Sequence, residues 1–142
     1  MSLVLVASAA KTASGNSGTL ARDYGNARAA TFYLSITADE STAADTLNVY
    51  IQSSFDSGTT WQDFVSFTQA VGDTGNAGFV EQMSWVRETN DNEQQTVKDG
   101  ALTHGNVENG PCGSLWRVKW VIVDDSASAS FTLSVRARVM VR

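Results

Sequence analysis

Asp45, Asp56, Asp63, Asp73, Asp124 and Asp125 are the carboxylates of this 142-residue chain from which a sugar-cleaving pair would be drawn. Glycoside hydrolysis needs two such groups flanking the scissile bond. These six fall in segments that read as turns, where Asp is favoured because its carboxylate accepts backbone N–H groups. A hydrolytic triad needs His beside Ser or Cys and an acid. His104, the only histidine, lies in a Gly/Asn-rich loop, and no serine sits in a nucleophile elbow. Cys112 is the only cysteine, which excludes an internal disulfide and a Cys-rich zinc site. It reads as a small buried thiol. Calcium wants several oxygen ligands close in sequence. Asn90-Asp91-Asn92-Glu93 and Asp39-Glu40 are the candidates, and both read as solvated loop charges. Gly15-x-x-Gly18 lacks the Lys and helix of a phosphate loop. No catalytic residue, metal ligand or cofactor is therefore expected, and the chain is not expected to be an enzyme. Trp116 and Trp120 would stand about 13 Å apart on one face of an extended strand, a sugar-stacking spacing if exposed. Their company there, Val118 and Ile122, argues for core instead.

The most informative stretch is Ser54-Phe-Asp-Ser-Gly-Thr-Thr-Trp61, between the alternating runs Leu47, Val49, Ile51 and Trp61, Phe64, Val65, Phe67. Asp56 can accept backbone N–H groups two residues on, Gly58 can take positive φ, and Trp61 can fold back as a lid. The spacing Ser-x-Asp-x-Gly-x-Thr-Trp resembles the Asp-box, a hairpin turn of sialidases and other β-proteins. That resemblance implies a structural role for Ser54, Asp56, Gly58 and Trp61, away from any catalytic centre.

Around this hairpin, period-2 alternation dominates. It predicts strands near 3–8, 19–21, 29–38, 46–54, 61–71, 79–86, 115–123 and 129–142. Short strands near 94–97 and 101–103 are also expected, inside a long surface excursion over 87–114. The expected core is Phe32, Leu34, Ile36, Leu47, Val49, Ile51, Trp116, Val118, Trp120, Ile122, Phe131, Leu133 and Val135, with Ala137, Val139 and Val141 also facing in. No segment shows a 3.6-residue period. Seven to nine strands at hairpin-like spacing imply antiparallel pairing, and two packed sheets bury one face of each strand. The expected fold is all-β: one antiparallel β-sandwich domain over 1–142, jelly-roll-like, with 1–18 a candidate N-terminal arm.

Composition agrees. Hydrophobic residues make up 42%, enough for a core, and a single proline leaves the turns to Gly, Asn and Asp. The net charge of −5 lacks the basic surface a general nucleic-acid binder needs. Met1–Ala10 has no basic start and only a short apolar stretch, and no run approaches a membrane span. No signal peptide and no membrane partner are expected, and synthesis in a reducing cytoplasm follows.

A wider resemblance comes from Ala7-Ser-Ala-Ala-Lys-Thr-Ala-Ser-Gly-Asn-Ser-Gly18, Thr46–Trp61 with Asp63 and Phe67-Thr-Gln69, Leu115-Trp-Arg-Val-Lys-Trp120 and Ser130–Val135. These runs resemble small virion proteins of tailed bacteriophages, similar to capsid decoration (cement) proteins. The resemblance implies a structural role outside the major capsid shell, with the major capsid protein and copies of the chain itself as partners, as a homotrimer. Leu115, Val121 and Val123 form an apolar second strand face that would need covering. Leu3, Val4, Leu5 and Val6, able to pair with a neighbouring strand edge, and the outward stripe Arg136, Arg138 and Arg142 are the candidate contacts. The alternative reading is a carbohydrate- or receptor-binding β-module of a phage tail or head fibre.

Overall fold

A computed structural model describes residues 1–20, 26–40, 42, 44–72, 79–87, 96–125 and 129–141. Among them lie nine strands and no helix: β1 (Ser2–Lys11), β2 (Gly15–Asn16), β3 (Ala27–Glu40), β4 (Thr46–Ser54), β5 (Gln62–Ser66), β6 (Ala70–Val71), β7 (Phe79–Val86), β8 (Leu115–Val123) and β9 (Ser130–Val141). They form two antiparallel sheets packed face to face. One has the order β1-β9-β3-β7; the other has β2-β8-β4-β5, with β6 also on β4. The all-β sandwich read from the alternation is the observed fold.

The pairing is less local than the spacing suggested. The chain changes sheet at most connections, so β4–β5 is the one pair of consecutive strands joined as a hairpin among the described residues. β9 is flanked by β1 and β3, and β8 by β2 and β4. Burying an apolar face against the opposite sheet outweighs the loop-closure cost of such pairings, because that cost grows only slowly with loop length.

Phe32, Leu34 and Ile36 of β3, Leu47, Val49 and Ile51 of β4, Trp116, Val118 and Trp120 of β8, and Phe131, Leu133 and Val135 of β9 are all buried. Ile122 is half-buried against them. At the centre, Phe32, Phe64, Trp85 and Trp116 form one aromatic cluster with ring centroids 5.2–6.0 Å apart, mostly tilted or edge to face, as ring quadrupoles favour. Trp116 Nε1 donates to Gly113 O (3.2 Å) and Trp120 Nε1 to Ala13 O (3.0 Å), so neither indole is buried unsatisfied. Cys112 is buried, as a small apolar thiol would be.

Several expectations are corrected. The second strand lies at Gly15–Asn16 rather than 19–21, where Leu20 makes only an isolated bridge to Trp116. The strand expected over 61–71 is broken, because Thr68 gives its N–H (2.8 Å) and hydroxyl (2.7 Å) to the Glu81 carboxylate instead of a ladder. No strand forms at 101–103, where the Ala101 and Leu102 N–H groups bond a side chain described below. Val97 is likewise outside any strand; Gln94 and Gln95, of the strand expected at 94–97, lie outside the described residues. Val141 was expected to face in but is 53% exposed, at the last residue of β9.

Candidate functional site

The two sheets have very different outer sides. On the five-stranded sheet, the outward residues Asn48, Tyr50 and Gln52 of β4 are buried, although they alternate correctly with the core. The described part of the 87–114 excursion reaches Tyr50 through the His104 ring and Gln52 through Asp99, while Asn48 Oδ1 accepts the Gln69 amide (3.0 Å). The excursion runs beside β5, with Ser66 N–H donating to Asn106 O (2.9 Å), Gly105 N–H to Ser66 O (2.9 Å) and Glu108 N–H to Phe64 O (2.9 Å). Its clasp is Asp63, which is fully buried. The Asp63 carboxylate accepts the N–H groups of Gly100 (3.0 Å), Ala101 (2.8 Å) and Leu102 (3.1 Å), and the Gln52 amide (2.6 Å). Gln52 Oε1 in turn accepts Arg117 Nε (2.7 Å), while Asp99 bonds Gln52, Lys119 and, more distantly, Arg117. Lys98 pairs with Glu108 across the same segment. Burial raises the Tyr50 hydroxyl pKa, and the nearby Asp63 charge adds to the rise. The group is a structural network centred on Asp63 and Gln52, although Ser66 Oγ and Glu108 Oε2 beside it are buried with no hydrogen-bond partner among the described residues.

The Ser54–Trp61 turn has the rigidity its sequence suggested, by slightly different bonds. Asp56 Oδ1 accepts Thr60 N–H, four residues on rather than two (2.7 Å), and the Ser54 hydroxyl (2.8 Å). Ser54 Oγ also accepts Gly58 N–H (2.8 Å). Gly58 sits at φ 90° and Ser57 at φ 59°. Trp61 Nε1 donates to Gly58 O (3.0 Å), and the Arg117 guanidinium lies 4.3 Å from the Trp61 ring centroid. These contacts hold the hairpin and expose Phe55 at its tip.

Among the described residues, no segment covers the outer side of the four-stranded sheet. Register places its outward residues in rows across β7, β3, β9 and β1: Val86, Ala29 and Met140; Ser84, Thr31, Arg138 and Ser2; Gln82, Tyr33, Arg136 and Val4; Val80, Ser35 and Ser134. Val4 and Met140 are each 63% exposed. No Asp or Glu occupies any of these positions. Among the described residues neither Arg136 nor Arg138 makes an ion pair.

Arg136 and Arg138 are exposed on this face, and Arg142 lies outside the described residues. Of the first-strand set, Leu3, Leu5 and Val6 do not present themselves to another molecule: they are buried in the chain's own core, because β1 is already paired to β9. Val4 alone of the four stays on the surface, in register with Arg136. The structure therefore joins one residue of the first set and two of the second into a single patch. The separate apolar face at Leu115, Val121 and Val123 is interrupted by Arg117 and Lys119; Leu115 and Val121 are half-buried and Val123 is exposed.

Sequence reasoning missed one grouping. Asp45, Asp124 and Asp125 bring carboxylate oxygens within 4.8 Å of one another, close enough to hold a metal ion. Buried Asp45 accepts the N–H groups of Thr42 (2.7 Å) and Asp125 (3.0 Å), and these bonds hold its carboxyl below the usual carboxylate range. The bonds tie the β3–β4 turn to the β8–β9 turn, and explain the grouping as a clasp between loops. The adjacent pair Asp124-Asp125 was visible in the sequence; Asp45, far away along the chain, was not. His104 is exposed, its ring 6.4 Å from that of Tyr50, and burial pushes the Cys112 thiol pKa up. The calcium candidate at 90–93 lies outside the described residues. Trp116 and Trp120 are both buried and form no exposed stacking platform.

Compared with protein-family models, curated proteins and solved structures, the chain matches none of them.

Proposed function

We propose that this chain is a structural virion protein of a tailed bacteriophage, a capsid decoration protein that binds the outside of the major capsid shell as a closed homo-oligomer, a trimer by the cement-protein resemblance. The observation that carries the reading is the asymmetry of the sandwich. One outer side is covered over β4 by the chain's own 96–112 segment around Asp63, and on the other the rows around Arg136 and Arg138 carry no Asp or Glu and no covering segment among the described residues. A one-sided module of this kind suits a role in which one face meets a large surface. The resemblance of Ala7–Gly18, Thr46–Trp61 and Ser130–Val135 to cement proteins supports the same reading, and the role proposed is binding rather than catalysis.

Quantitative mass spectrometry of purified particles tests it. A copy number comparable to that of the major capsid protein is expected. A handful of copies would move the chain to a tail or head fibre, and absence from particles would overturn the reading. The sugar-binding alternative loses its most direct support, because the two tryptophans that would stack on a sugar are core residues. Single isolated copies in a particle reconstruction would overturn the closed oligomer.

A further inference from the structure

We propose that the outer face of the four-stranded sheet, centred on Arg136 and Arg138, is the docking face, and that its occupant is an acidic protein surface. The inference rests on the decoration reading, which makes that occupant the outside of the shell.

Charge complementarity commits the face to such a partner. Arg136 and Arg138 stand two residues apart on β9, about 7 Å along the strand, so both guanidiniums point to the same side. Like charges so placed repel unless something answers them. The rows around them offer Tyr33, Thr31, Ser2 and Val4, and no carboxylate. In a chain of net charge −5, two adjacent arginines with no acidic neighbour among the described residues are an exception that a partner's carboxylates would resolve. Arginine suits the task, because its planar fork bonds a carboxylate through two parallel N–H groups and is weakly hydrated for a cation. Val4 and Met140 extend the patch with apolar area, so a docked surface would gain burial as well as charge pairing.

Other occupants fit less well. Nucleic acid draws its affinity from many neutralised phosphates, and two arginines on an acidic protein supply little. A second copy using the same face in a two-fold contact would bring arginines towards arginines.

The test uses particles of the encoding virus assembled without this chain, and purified chain added back. The wild type is expected to bind, and to bind less well as salt rises. Arg136→Glu with Arg138→Glu should lower occupancy about tenfold or more. Arg136→Lys with Arg138→Lys keeps the charge but loses the paired N–H geometry, and should fall between the two. Val97→Glu, at an exposed position on the covering segment of the opposite side, should bind as wild type. Circular dichroism and thermal unfolding establish that each variant is folded; should the Glu pair not fold, the Lys pair and the salt dependence carry the test. Wild-type occupancy for a folded charge-reversed variant at low and high salt would overturn this docking face and leave the decoration reading intact. Failure of the wild type to bind, with absence from native particles, would overturn both. A wild-type oligomer in solution that the Glu pair splits into monomers would assign the face to a second copy and overturn the proposed occupant.

Discussion

Asp56 shows how one side chain can hold a turn and how that hold responds to acid. Its bonds from the Thr60 backbone N–H, the Thr60 hydroxyl and Ser54 bring its carboxyl down from the ordinary 3.8 to about 2. A depressed carboxyl stabilises the fold fully above its ordinary value, and loses that contribution as the pH falls through its folded value. Asp56→Asn is thus expected to melt below the wild type at neutral pH, with the gap closing between pH 3.8 and about 2. Thermal unfolding of both proteins across that range measures it. Two glycines are equally exacting. Gly58 at φ 90° takes a conformation that a β-branched side chain resists, so Gly58→Val should cost about 1–2 kcal/mol. Gly113 is tighter: a Cβ there would lie 1.8 Å from Ser54 O, which is backbone and cannot swing aside. Gly113→Ala should cost about 3 kcal/mol or more, read by denaturant unfolding, because the segment must move off β4.

The 96–112 segment is held chiefly by polar bonds, and Asp63 is their hub. Removing it leaves the N–H groups of Gly100, Ala101 and Leu102 buried or half-buried without their acceptor. Asp63→Ala is expected to cost about 3–5 kcal/mol and to free the segment first. Hydrogen exchange should show fast amides at 100–102 while β3 and β9 stay protected; uniform loss of protection would mean that the segment and the sandwich unfold together. The aromatic cluster behaves differently, since it joins both sheets. Phe32→Ala should cost about 3–5 kcal/mol and lower protection throughout, because the void opens where the sheets meet.

For the molecule as a whole, the two outer sides account for the composition. A net charge of −5 is compatible with a basic patch because the patch is local, on one sheet. The 96–112 segment, irregular in sequence, lies over the other sheet. The far-UV circular dichroism spectrum should be dominated by β-structure, since none of the described residues is helical.

Local alternation is enough to place β3, β4, β7, β8 and β9 within a few residues and to pick out their inward side chains, because side-chain direction along a strand depends only on parity. The hairpin at Ser54–Trp61 is likewise local: its acceptor, its positive-φ glycine and its tryptophan lid lie within eight residues. Pairing is a different matter. Nothing local says that β9 lies between β1 and β3, or that most connections cross between sheets, since that choice is made by the fit of two apolar faces far apart along the chain. The same holds for burial of polar residues. Asp63 reads as a turn residue and Gln52 as part of a strand, yet both are fully buried, because a distant segment with no periodicity folds beside them and supplies hydrogen bonds from Asp99 and the 100–102 backbone. Arg136 and Arg138 could be read as outward from parity alone; that their in-register neighbours among the described residues include Val4 and no acid follows only from the register of β1 and β3 against β9.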